Sequence, residues 1–161
     1  DFALDAGYQF LGDGTHIATV QAIYTHEDQN LRGSTGLQGA GNGAKYTLNQ
    51  FQTNVSYWYK NTYGATLGWQ KAWGPADPVL FQPGPLAGSA NSKPDSNAFI
   101  FEVDFVPFGK EDSFWRPLAN FKIGVQYIAY TKFNGGDKNY DGFGRRASDN
   151  NTLMFYAWTI F

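Results

Sequence analysis

The chain has 161 residues, 42% hydrophobic, 18% aromatic and 16% charged, with a net charge of −2 and no cysteine. That length suits one domain, and no run of about 18 apolar residues occurs, which excludes a transmembrane helix. The charge balance gives no basic footprint for nucleic acid, and the missing cysteine excludes disulfides, thiolate metal sites, covalent c-type haem and a Cys nucleophile.

Period-2 alternation organises the chain. Phe2, Leu4, Ala6, Tyr8 and Phe10 share one face of a first strand, opposite Asp5, Gly7 and Gln9. Gly12-Asp13-Gly14 is a turn signal. A second strand sets Ala18, Val20, Ala22 and Tyr24 against Thr19, Gln21 and Thr25. A third sets Phe51, Val55, Tyr57 and Tyr59 against Gln52, Asn54, Ser56 and Lys60, with a break at Asn61-Thr62. A fourth sets Tyr63, Ala65, Leu67 and Trp69 against Gly64, Thr66, Gly68 and Gln70. A fifth sets Phe99, Phe101, Val103 and Phe105 against Glu102 and Asp104. A sixth sets Phe121, Ile123, Val125, Tyr127 and Ala129 against Lys122, Gly124, Gln126 and Lys132. The last runs from Thr152 to Phe161 and is apolar on both faces.

The reading is all-β: an antiparallel transmembrane β-barrel of seven visible strands, each about 10 residues long. Soluble strands average about 5–6 residues, and membrane-spanning ones need about 9–11. Long connections at roughly 28–47, 74–96 and 134–151 alternate with shorter ones at 11–15, 60–62 and 107–120. That asymmetry matches the long external loops and short periplasmic turns of outer-membrane barrels. The 107–120 connection, with Pro107, Gly109 to Asp112 and Arg116-Pro117, is long for its side. Aromatics form two bands. Tyr8, Phe10, Tyr57, Tyr59, Tyr63, Phe105 and Phe121 lie at short-turn ends; Tyr24, Phe51, Trp73, Phe99 and Phe133 lie at long-loop ends. Such bands resemble interfacial girdles. The competing reading is a soluble β-sandwich, but a dry core would not take Glu, Asp and Lys at two-residue intervals unless they were paired.

The chain ends in Phe161 on an amphipathic strand, with Leu153, Phe155, Ala157 and Thr159 on the same face. Bacterial outer-membrane proteins commonly end this way, and the barrel-assembly machinery reads that residue. Phe108-Gly109-Lys110-Glu111-Asp112-Ser113 and Ala119 to Tyr127 resemble the end of proteobacterial outer-membrane porin-like proteins. So do Lys132-Phe133-Asn134-Gly135, Asn139-Tyr140-Asp141-Gly142 and Ala147 to Leu153. The resemblance is best over the last third of the chain. It implies a barrel C-terminus in the bacterial outer membrane, without a defined substrate. A few such proteins are labelled cytochrome-associated, but no Cys-x-x-Cys-His is present here.

Closed bacterial barrels have even strand numbers, and an unpaired edge cannot sit in lipid. Seven strands therefore read as the C-terminal part of a larger barrel. The alternative is a complete eight-stranded barrel, with one strand within 34–48 or 76–96.

The candidate pore-lining residues are Asp5, Gln52, Asn54, Gln70, Glu102, Asp104, Lys122, Gln126, Lys132, Arg145 and Arg146. The charged ones would set a transverse field across a pore. The two arginines could also bind lipopolysaccharide phosphate, or stand solvated in their loop. Asp137-Lys138-Asn139-Tyr140-Asp141-Gly142 matches the start of a calcium loop, with Asp137, Asn139 and Asp141 as oxygen donors. Its twelfth position is Ser148 rather than Glu, so a polar turn competes with that reading. His26-Glu27-Asp28 is a poor metal site, because adjacent strand residues point to opposite faces. Neither Ser113 nor Ser148 has a histidine in a hydrolase motif. Gly33, Gly36, Gly39, Gly41 and Gly43 lack the strand-to-helix context of a phosphate loop.

The expected function is a passive channel for small hydrophilic solutes or ions, without a cofactor and not an enzyme. The second reading is a barrel sheath around an electron-transfer or other periplasmic partner, with Gly7, Gly64, Gly68 and Gly124 giving it room. A third, an outer-membrane lipid enzyme, has no candidate triad. Expected partners are outer-membrane lipid, lipopolysaccharide and the assembly machinery, with homo-oligomers left open and no nucleic acid.

Overall fold

The computed structural model describes residues 1–31, 45–108 and 119–160. They form one antiparallel sheet of seven strands: β1 (Phe2–Phe10), β2 (His16–Asn30), β3 (Lys45–Tyr59), β4 (Tyr63–Trp73), β5 (Ser96–Phe105), β6 (Asn120–Lys132) and β7 (Thr152–Ile160). Each strand pairs with its neighbour in sequence, so the sheet is a simple meander. The only helical turn among the described residues is a short 3₁₀ segment, Ala147–Asn150.

Local chemistry sets the tight turns. Between β1 and β2, Asp13 Oδ1 accepts from the Thr15 N–H at 2.8 Å, and Gly14 takes a φ of +80°. Between β3 and β4, Lys60 and Asn61 have φ values of 53° and 52°. The Thr62 N–H closes that turn on the Tyr59 carbonyl at 3.0 Å. Two successive positive-φ residues give the turn twist that antiparallel strands favour.

β2 and β3 run 15 residues each and β6 runs 13, longer than the alternation predicts. Their extra pairs, such as Glu27 with Leu48 and Asn30 with Lys45, lie beyond the apolar stretch. Hydrogen-bonded ladders need no apolar face once they leave it. No eighth strand lies in 74–95, which holds turns and irregular chain. Residues 45–48 open β3, and 34–44 fall outside the described residues.

The sheet is not closed. β1 and β7 are its two edges. Seven antiparallel strands leave these two pointing the same way, so they cannot pair antiparallel with each other.

The register sorts side chains cleanly, because directly opposed residues share a face. One face carries Leu4, Tyr8, Val20, Val55, Tyr57, Leu67, Phe99, Phe101, Val103, Ile123 and Phe155. All of these are exposed, Phe155 at 72%. The other face carries mostly Gln, Asn, Ser, Thr, Gly and charge. Among the described residues no second layer covers either face. The buried apolar residues are Tyr46, Ala98, Tyr140 and Ala147, at the long-loop end.

At that end two long loops, 74–95 and 133–151, are joined by hydrogen bonds. The Ala90 N–H donates to the Tyr140 carbonyl at 2.6 Å, and the Gly84 N–H to the Asp141 carbonyl at 3.0 Å. Tyr140 Oη donates to the Leu86 carbonyl and Ser89 Oγ to that of Asn134, both at 2.7 Å.

Candidate functional site

The polar face is organised around one row across five strands. Trp58, Gly64, Asp104, Gly124 and Tyr156 stand directly opposite one another on β3 to β7. The two glycines are covered by their neighbours' rings. A Cβ on Gly64 would lie 2.8 Å from the Trp58 indole, and one on Gly124 would collide with the Tyr156 ring. Trp58 and Tyr156 therefore lie down along the sheet instead of standing off it.

Lys122 sits between these rings, its Nζ 5.4 Å from each centroid. The ammonium is 2.9 Å from Asp104 Oδ2 and 3.5 Å from Glu102 Oε1. Tyr156 Oη donates to Asp104 Oδ1 at 2.5 Å, and Gln126 Nε2 to Glu102 Oε2 at 2.6 Å. The Asp104 side chain is 1% exposed, that of Glu102 18% and that of Lys122 29%. A buried carboxylate is stable when its oxygens are paired and hydrogen-bonded, and both Asp104 oxygens are. The next row continues the network, with Ser56 Oγ 2.9 Å from Thr66 Oγ1.

The sequence reading named Glu102, Asp104, Lys122 and Gln126, and the structure brings all four together. It did not name Trp58 or Tyr156. Each stands among residues whose side is clear only from register, and only the paired glycines hint at a folded-over ring. The covered glycines also bear on the sheath reading: at Gly64 and Gly124 the room for a partner is already filled by the chain's own rings.

Gln52 and Gln70 face each other on β3 and β4, and Asn54 faces Gly68, all on the polar face. Asp5 is on that face of β1, opposite Ile23. Lys132 is apart from the cluster. A bulge at Asn97/Ala98 shifts its register, and its Nζ lies 3.3 Å from Asp95 Oδ2 at the loop end.

Arg145 and Arg146 are in the 133–151 loop, off the sheet. Arg145 Nη2 donates to the Asp149 carbonyl at 3.3 Å, and the Arg146 N–H to Asp149 Oδ2 at 2.8 Å. The calcium-like stretch is a hydrogen-bonded turn. Asp137 Oδ1 accepts from the Lys138 N–H, Asn139 Oδ1 from Gly144 and Asp141 Oδ1 from Phe143 and Arg145. Asp141 is fully buried, whereas Asp137 and Asn139 are exposed. Among the described residues no group of three or more His, Asp or Glu is placed to hold a metal. Ser148 is exposed in the 3₁₀ turn, and both histidines are on β2. Phe161, Ser113 and the glycines of 33–43 lie outside the described residues.

The apolar face has polar rims at both ends. At one end His16 Nδ1 is 2.6 Å from Tyr57 Oη, and its ring packs 5.3 Å from Tyr59. At the other, Asn49 Oδ1 accepts from Tyr24 Oη and meets His26 Nδ1, both at 2.8 Å. Lys71 lies over the Trp73 ring at 5.2 Å at the same rim. Ten residue steps separate His16 from His26 on β2. At about 3.3 Å per step, the band between them runs about 33 Å along the strand.

No family model, curated protein or solved structure matches this chain. Function is read from the geometry alone.

Proposed function

We propose that this sheet is part of the wall of an outer-membrane β-barrel, a porin-like channel through which small hydrophilic solutes or ions diffuse. One observation carries the reading: a single sheet exposes a broad apolar face, and that face is a band bounded at both ends by aromatic rings with polar groups. With strands tilted by about 45°, as in membrane barrels, that band would stand roughly 23 Å tall, close to their ~25 Å apolar belt. Soluble proteins rarely expose contiguous apolar patches beyond a few hundred Å². Lipid gives Leu67, Val103 and Phe155 an apolar neighbour without a second protein layer. Tyr24, His26, Tyr57 and Trp73 then meet the headgroups, where a ring with a polar tip is favoured.

The opposite face becomes the lumen wall. Water solvates its Gln, Asn and Thr side chains, and Lys122 is tied down with its carboxylates. An apolar groove of about 590 Å³ between Val103, Phe105, Ile123 and Phe155 opens on the lipid side, where an acyl chain fits it. Both sheet edges must be paired in lipid, so the reading requires an odd number of further strands between β7 and β1.

The test is single-channel recording from the full-length protein in planar bilayers. Discrete ohmic steps are expected. A correctly folded barrel that stays silent would reject diffusion as the function.

A further inference from the structure

We infer that this wall favours cations over anions, because among the described residues the polar face of the strands carries more carboxylates than bases. The inference rests on the channel reading above and adds the class of solute. It does not use Glu102 and Asp104 as an acidic site, since both are occupied by Lys122.

The decisive pattern is where the bases go. On β1 to β4 the polar face holds Asp5 and Glu27, and every other side chain there is uncharged: Gln9, Gln21, Gln52, Asn54 and Gln70 are typical. The lysines of the same strands are elsewhere. Lys71 opposes Phe51 on the apolar face, and Lys45, at the start of β3, falls on that face too. Lys60 is in the β3–β4 turn. The histidines of β2 also face the apolar side, opposite Tyr59 and Phe2.

The remaining strands do not restore positive charge. Lys122 is held by two carboxylates at 2.9 and 3.5 Å, a cluster one negative charge in excess. Lys132 is 3.3 Å from Asp95 and is matched one to one. Arg145 and Arg146 are off the sheet in the 133–151 loop, where Arg145 Nη2 donates to the Asp149 carbonyl and the Arg146 backbone N–H to Asp149 Oδ2. Asp5 is exposed at mid-strand, opposite Ile23. Glu27, toward the long-loop end, accepts from the neutral Gln29 Nε2 at 3.1 Å. A lumen wall of one sign raises the local concentration of counter-ions and opposes co-ions.

The experiment is reversal-potential measurement in a KCl gradient across planar bilayers, with the full-length protein. The wild type should pass K⁺ in preference to Cl⁻. The double variant Asp5→Asn with Glu27→Gln should lower that permeability ratio at least about threefold, because it removes two negative charges from the polar face while leaving the Lys122 cluster whole. Heat-modifiable gel mobility checks that the variant is folded. An unchanged ratio in a folded, conducting variant overturns the inference and leaves the channel reading standing. So does anion preference in the wild type. A folded wild-type barrel without conductance rejects the channel reading, and the inference falls with it.

Discussion

Tyr156 on β7 reaches over Gly124 on β6 to donate to Asp104 on β5, joining three strands through one 2.5 Å hydrogen bond. Tyr156→Phe removes a donor from a carboxylate that keeps Lys122 as partner. The expected loss is about 1.5–3 kcal/mol, the usual worth of a hydrogen bond to a charged group. Lys122→Met should cost more, about 3–5 kcal/mol, because Asp104 would then be buried without its counter-charge. Urea unfolding of the full-length protein in detergent micelles measures both. Equal, small losses would show that the cluster contributes little to stability.

Gly64→Ala should be more damaging than Gly68→Ala. The new methyl at residue 64 meets the Trp58 indole at 2.8 Å, whereas at residue 68 its nearest neighbours are at 3.4 Å. Overpacking of the first kind costs about 1–3 kcal/mol. Unfolding midpoints rank the two variants. The Trp emission of the Gly64 variant should also shift, since the indole must lift from the sheet.

Leu67 and Thr66 are adjacent and face opposite ways, so they form a paired test of sidedness. Leu67 is 54% exposed on the apolar face, in the same cross-strand row as Val55 and Phe101. Leu67→Arg should reduce folding stability in lipid vesicles by about 2–4 kcal/mol, the cost of a charge near the bilayer midplane. Thr66→Arg, on the polar face, should be tolerated. A harmless Leu67→Arg would argue that this face meets water.

The joined loops should loosen in acid. Burial pushes the Asp141 carboxyl up, but the N–H groups of Phe143, Arg145 and Leu86 outweigh that and hold it below 3.8. A carboxyl lowered on folding contributes stability that is fully present above its unfolded value. That contribution is lost as pH falls through the lower folded value. Protease nicking within 133–151 should therefore rise below about pH 4. In Asp141→Asn the rise should be smaller, because no charge remains to titrate. An identical acid response in the variant would place the sensitive group elsewhere.

The sheet was legible in the sequence because its alternation is strict. Every apolar set, from Phe2 to Thr159, falls on the face that the register assigns it. Strand ends were less legible. Glu27 to Asn30 pair as strand, yet carry no apolar signal, since they continue the ladder past the band. The polar cluster was half legible. Glu102, Asp104 and Lys122 stood out as charges among apolar residues. Their mutual pairing depends on residues 18 and more positions apart meeting in register, and on two glycines that let rings lie flat. Lys132 stands apart from the polar row because a bulge shifts its register, which alternation does not reveal. The Asp137 to Gly142 stretch carries the side chains of a calcium loop, but Asp137 Oδ1, Asn139 Oδ1 and Asp141 Oδ1 accept from backbone N–H groups of the same turn, and Asp141 Oδ2 is buried.

The knitted loops at one rim have a consequence for recognition. Tyr140 and Leu86 touch although 54 positions apart. An antibody raised against the folded protein that binds this rim meets a surface assembled from two distant stretches of chain. Synthetic peptides copying either stretch alone would not reproduce it, and a blot of the unfolded protein would lose it.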